Sequence, residues 1–168
     1  IPGACSLAPH IVLQEIGATF TTERVDGKTH TTETGADYYQ VHSKGYVPAL
    51  TLDGGETLTE GPAIVQYLAD NSGRNDLSPA LGSVERARLQ AHLNFVGTEL
   101  HKAFSPLFKP DSTEDEKNAA RKKVNLRLDD VEAELSDGRP FFLGDAFSVA
   151  DPYLFTVSRW LEGDGVDI

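Results

Sequence analysis

Apolar residues recur at two different periods along this chain, and the change between them divides it. Leu7, Ile11, Val12 and Ile16 fall at helical spacing, which predicts a helix ending near Gly17. Phe20–Val25 is a β-branched run that reads as a strand. Val47–Leu52, Asp53-Gly54-Gly55 and Glu56–Thr59 read as strand, tight turn and strand, a hairpin. Gly61-Pro62 opens the next helix, with proline where its missing N–H costs nothing, and Ala63, Ile64, Tyr67 and Leu68 are its expected buried stripe. After a Ser-, Gly-, Pro- and Asn-rich stretch the pattern is helical only. Leu89, Leu93, Val96, Leu100, Phe104 and Leu107 mark one long helix over 83–108. A second runs from the capping box at Thr113 to Leu135, along Val124, Leu128 and Val131. Ser148 caps a third, with Asp151 in its first turn.

The expected architecture is an α/β domain over 1–70, a linker over 71–82 and an all-helical domain over 83–168. The α/β part lacks only an opening strand. The chain begins on a motif and ends in Gly163-Asp164-Gly165-Val166-Asp167-Ile168, so a fragment with both ends truncated is expected.

The net charge of −11 is spread along the chain and argues against nucleic acid as a partner. No apolar run reaches the length of a membrane helix, and no signal peptide is visible. A single cysteine excludes an internal disulfide and fits a reducing, cytoplasmic setting. The five histidines show no ligand spacing, so no metal is expected.

The lone thiol sits where a turn becomes a helix. Cys5 follows Pro2-Gly3, near a helix N-terminus whose N–H groups and dipole favour a thiolate. That dipole, about 0.3–1 kcal/mol, shifts a pKa by less than about one unit, so further donors are needed. A small buried thiol behind a turn fits the position equally well. Val47-Pro48 starts a strand and leaves Val47 extended; taken alone, an ordinary strand start explains it better than a cis bond does. Glu60-Gly61 joins a strand to a helix, where N–H groups suit a carboxylate and the Glu60 side chain an ammonium, together the head of an α-amino acid. Taken alone, a plain acidic helix start is the better reading of these residues. Asn94, Thr98, His101 and Ser105 form a polar stripe beside the apolar one, of functional interest if it faces Cys5.

Pro2-Gly3-Ala4-Cys5-Ser6-Leu7, Lys44-Gly45-Tyr46-Val47-Pro48-Ala49-Leu50, Leu58-Thr59-Glu60-Gly61, Thr98-Glu99-Leu100-His101-Lys102 and Phe147-Ser148-Val149-Ala150-Asp151 together resemble the bacterial beta-class glutathione transferases, from Pro2 to about Trp160. The resemblance implies a thioredoxin-like domain followed by an all-α domain, usually as a homodimer. It implies Cys5 against the glutathione sulfur, Val47 pairing its backbone with the peptide before cis-Pro48, and Glu60-Gly61 holding the γ-glutamyl head. Asn94, Thr98 and His101 would approach from the helical domain, with His101 a donor to the thiolate. Three positions depart from the pattern: His30 stands for a lysine near the glycine carboxylate, Tyr46 for a glutamine, and Pro152 follows Asp151. The expected activity is glutathione-dependent transfer to small apolar electrophiles or disulfides, with glutathione as co-substrate and no other cofactor. The rivals are a monothiol glutaredoxin-like reductase and a non-catalytic carrier of glutathione or an apolar ligand. Phe104 and Phe108 are the expected wall for the second substrate.

Overall fold

The structure is a computed structural model that describes residues 1–164 and Val166. The helical range expected over 83–168 therefore ends among residues of which Gly165, Asp167 and Ile168 lie outside those described.

Helix α1 (Leu7–Glu15) follows the Pro2–Ser6 turn and stops before Gly17, whose φ of +66° suits glycine at a helix end. Two antiparallel ladders come next. Strand β1 (Val25–Asp26) pairs with β2 (Thr31–Thr32), and β3 (Ala49–Thr51) pairs with β4 (Thr57–Thr59) in the register Leu50 opposite Leu58. The expected hairpin is present. The expected strand over Phe20–Val25 is not: only Val25 joins a ladder, because β-branched residues make a strand only where a partner supplies the hydrogen bonds. Among the described residues no strand connects the two ladders. Helix α2 (Gly61–Asn71) buries Ile64, Val65, Leu68 and Ala69. Its inner face is thus turned from the expected stripe, leaving Ala63 and Tyr67 exposed.

The helices beyond residue 82 carry the stripes expected of them, with one change of form. The stretch over 83–108 is not one helix. It runs as α3 (Val84–Phe95), a wide π-type turn at Val96–Leu100, α4 (His101–Ala103) and α5 (Ser105–Phe108). Pro106, which lacks an N–H for a continuous helix, sits in the first turn of α5. Helix α6 (Glu114–Leu135) opens on the expected capping box between Thr113 and Glu116. Helices α7 (Ala150–Ser158) and α8 (Leu161–Asp164) complete the described chain.

One core runs through both halves. Ala8 and Val12 of α1, Ile64 and Val65 of α2, Leu89 and Leu93 of α3, and Tyr153 and Val157 of α7 belong to a single buried cluster. Helix α1 packs against both α2 and α7. The loop before α1 is also tied across this seam: the Trp160 indole Nε1–H donates to the Gly3 carbonyl at 2.8 Å. The seam therefore holds the turn bearing Cys5 against the helical half.

Candidate active site

A cleft of about 820 Å³ opens along the seam. It is lined by nine of the residues singled out from the sequence: Cys5, His30, Val47, Pro48, Glu60, Gly61, Asn94, Thr98 and His101. Ser105 of the polar stripe is not among them. Phe104 is fully buried, so it cannot wall a second substrate, whereas Phe108 is half-exposed and stacks on Phe104 and against Trp160.

Cys5 is half-buried, one residue short of the helical stretch, and its thiol donates to the Val47 carbonyl at 3.0 Å. Burial pushes its pKa up, outweighing the backbone N–H groups of Cys5 and Ser6 and the Lys102 charge, which pull it down; Glu60 adds to the rise. The thiolate expected from a helix end is thus outweighed in the free protein. Lys102 was not singled out as a functional residue from the sequence, although it closes the Thr98–Lys102 motif and lines the cleft.

The Val47-Pro48 bond is cis. With the Val47 carbonyl taken by Cys5, its N–H has no partner among the described residues and is left to pair with an extended chain in the manner of a strand edge. Glu60 has the positive φ of 69°, uncommon for a residue with a side chain. Its carbonyl accepts from both Ala63 and Ile64 at 3.0 Å, and Pro62 has no N–H. At this helix end the Gly61 N–H has no partner among the described residues and is left for a carboxylate.

From the helical half, Asn94 and Thr98 are exposed toward solvent, and the Thr98 hydroxyl donates to the Asn94 carbonyl at 2.9 Å. His101 is held edge-on against Trp160 at 4.9 Å, and its pKa is lowered to about 4 by burial and then by the Lys102 charge. It therefore works as a neutral imidazole at neutral pH, able to donate one N–H without charge.

His30 lies at another part of the cleft wall. Its φ is +52°, its ring stacks on Tyr39 at 4.7 Å, and its Nδ1 is buried without a partner among the described residues. A Cβ at Gly45 would stand 2.7 Å from that Nδ1 and 2.8 Å from Tyr39, and Gly45 itself has a φ of +68°, so only glycine fits there. Tyr46 is exposed; Tyr38, rather than Tyr46, is the buried ring, and its hydroxyl donates to the Tyr46 carbonyl at 2.8 Å. Further lining residues passed unnoticed in the sequence, Gln66, Gln90 and Tyr153 among them. Tyr153 reads there as an ordinary aromatic on a helix face. No group of three or more His, Cys, Asp or Glu side chains among the described residues could hold a metal, and no helix among them is long and apolar enough to cross a membrane.

Comparison with known proteins bears on the same cleft. The family profile "Glutathione S-transferase, N-terminal domain" matches residues 3–71, and "Glutathione S-transferase, C-terminal domain" matches residues 95–165. The chain is 47% identical to glutathione S-transferase GstA of Escherichia coli O157:H7 over 159 residues, which is 95% of this chain and 79% of the relative. It is similar to the structure of a sphingomonad glutathione S-transferase complexed with glutathione, at 50% identity and a TM-score of 0.94, covering 99% of this chain and 82% of that one. It is also similar to a bacterial beta-class glutathione S-transferase of Sphingomonas chungbukensis, at 50% identity and a TM-score of 0.95 with the same coverage.

Proposed function

The chain belongs to the glutathione S-transferase family, and we propose that it is a beta-class enzyme whose seam cleft binds glutathione and presents its thiolate to small apolar electrophiles. The observation that carries this reading is the convergence on one cleft of a thiol, a free strand-like N–H, an acidic helix start and a neutral imidazole donor. The division into 1–70, 71–82 and 83–168 is retained within the proposal, since the two halves contribute opposite walls of that cleft.

Each group then has a role. The Val47 N–H pairs with the peptide backbone before Pro48. The Gly61 N–H takes the α-carboxylate of the γ-glutamyl head, and the Glu60 carboxylate its ammonium. His30 lies toward the far end, Asn94 and Thr98 flank the peptide, and Cys5 lies against the glutathione sulfur. In conjugation the thiol loses its proton to water, and the sulfur lone pair forms a bond to the electrophilic carbon. The leaving group departs with its electron pair. His101 donates to the sulfur as charge develops there. The half-exposed Phe108 beside Trp160 offers an apolar face on the His101 side, consistent with a small apolar co-substrate.

A second reading is favoured by one observation: the Cys5 thiol itself reaches the cleft. A disulfide substrate could exchange with it, in monothiol fashion because the chain has no second cysteine. Homodimer assembly, implied by the resemblance, belongs to the same proposal, and the lone free cysteine accords with a reducing, cytoplasmic setting. Turnover of a chloronitroaromatic with glutathione, set beside retention on immobilised glutathione, tests the main reading. Retention without turnover identifies a carrier, and neither result would leave the cleft without its assigned ligand.

A further inference from the structure

Tyr153 lines the cleft, and the roles above leave it unused. It comes from α7, on the helical side, and only 4% of its surface is exposed, yet it lines the cleft. Its ring is wedged among small residues of both halves. A Cβ on Gly61 would stand 3.8 Å from Tyr153 Cε2 and 3.9 Å from Pro48 Cγ. A Cβ on Gly97 would stand 3.3 Å from the Tyr153 hydroxyl and 3.9 Å from Pro62 Cγ. The phenol thus passes beneath the start of α2 and ends beside the turn that carries Thr98.

Among the described residues this hydroxyl has no hydrogen-bond partner. The oxygen is not sealed in the core: it opens on the cleft, where an acceptor atom of a bound ligand can take its hydrogen bond. The negative groups within electrostatic reach are Cys5 and Glu60. Burial, with those two charges, holds the phenol well above its ordinary pKa, so it is an O–H donor throughout the working range.

We infer that Tyr153 is a further catalytic residue, donating its hydroxyl hydrogen bond to the sulfur of bound glutathione from the side opposite Val47. The inference rests on the glutathione reading of the cleft. No proton is transferred: the phenol stays protonated, and its hydrogen bond strengthens as the sulfur becomes anionic. The bond weakens again once the lone pair is shared with the electrophile, and Gly97 is small so that the hydroxyl keeps its place.

The test is the thiolate absorbance of bound glutathione, titrated against pH with the S-methylglutathione complex as blank, in the wild-type protein, Tyr153→Phe and Gly97→Ala. Loss of one hydrogen bond to a charged sulfur should raise the midpoint by roughly one pH unit in Tyr153→Phe. The value of kcat/KM below that midpoint should fall about tenfold and recover at high pH. Below the midpoint, where the bound sulfur is still a thiol, glutathione affinity should change less than twofold, since the bond belongs to the anion. Gly97→Ala displaces the hydroxyl without removing it and should shift the midpoint in the same direction by less, which keeps the test open if Tyr153→Phe does not fold. An unmoved midpoint in folded variants of a wild-type protein that binds glutathione overturns the role of Tyr153 alone. A wild-type protein that binds no glutathione overturns the reading of the cleft and this inference with it.

Discussion

Cys5 and His101 are both set by burial, in opposite chemical senses. Burial keeps Cys5 protonated and His101 neutral, because each charged form loses water and regains too little. Mixed-disulfide formation between Cys5 and oxidised glutathione should therefore accelerate as the pH rises and the thiolate appears. Cys5→Ser should abolish that adduct while conjugation largely survives, since the attacking sulfur there is glutathione's. Intact-mass spectrometry over a pH series checks this; an unmodified Cys5 in protein that still binds glutathione would make the thiol mere packing. His101→Ala removes a donor to an anionic sulfur, a loss of about 1.5–3 kcal/mol or tenfold and more in rate, read from kcat/KM. The same imidazole makes stability pH-dependent. Its folded pKa of about 4 lies below the ordinary 6.5, so between those values the unfolded chain binds a proton that the folded chain refuses. Stability should fall as the pH drops through that window and show no His101 dependence above it. His101→Gln should flatten the fall in melting temperature, leaving the part due to His92, whose pKa burial also lowers against the pull of Glu134. The chemistry of these two residues was visible in the sequence as residue types, but their protonation was not, because burial depends on what packs around them. Tyr153 escaped for the related reason that nothing in a helical pattern tells a core-facing aromatic from one that ends in a cleft.

At the scale of elements, helices with caps were the most legible and unpaired strands the least. Thr113 and Glu116 state the start of α6 locally, and it begins there. Phe20–Val25 has strand-forming residues but, apart from Val25, no ladder, since pairing is a property of two segments. The break in the long helix was signalled by Pro106, whereas the wide turn at Val96–Leu100 has no local breaker other than Gly97. Pro152 proves compatible with its helix: it is the third residue of α7, where no N–H has an intrahelical acceptor. Helix α7 is anchored instead by Asp151, whose carboxylate accepts from the Ser148 N–H and the Phe142 N–H at 2.7 Å each and from the Ser148 hydroxyl at 3.0 Å. Asp151→Ala should cost roughly 2–4 kcal/mol, because it strands two backbone donors of a part-buried turn. Urea denaturation checks it, with the midpoint falling while the slope holds. A loss below about 0.5 kcal/mol would mean that water replaces the carboxylate there.

Across the whole molecule the two halves share a core, and one polar clamp reinforces the joint. Arg86 at the start of α3, only 4% exposed, reaches Asp70 near the end of α2 at 2.5 and 2.8 Å, the Pro79 carbonyl at 3.0 Å and the Ser78 hydroxyl. A second tie, from the Val149 N–H to the Leu77 carbonyl at 3.0 Å, fastens the same connecting stretch to the segment before α7. The sequence showed that stretch as a loose linker because its Ser, Gly and Pro content reports on backbone freedom alone; Leu77 and Ser78 are in fact buried. Because the apolar cluster is continuous across the seam, the halves should unfold together, so Trp160 fluorescence and far-ultraviolet dichroism should give one coincident transition. Arg86→Ala leaves Asp70, Ser78 and the Pro79 carbonyl without their shared donor. Breaking such a pair costs about 3–5 kcal/mol when fully buried, and roughly 2–4 kcal/mol is expected here because Asp70 is partly hydrated. The arginine also holds the Asp70 carboxyl below its ordinary pKa, so the clamp is in place above the usual carboxylate range and fades as the pH falls through the lowered folded value. The Arg86→Ala protein should accordingly lose its deficit relative to wild type in acid, while its transition stays single. Two separated transitions in that variant would show that the clamp, and not the shared core, is what couples the halves around the cleft.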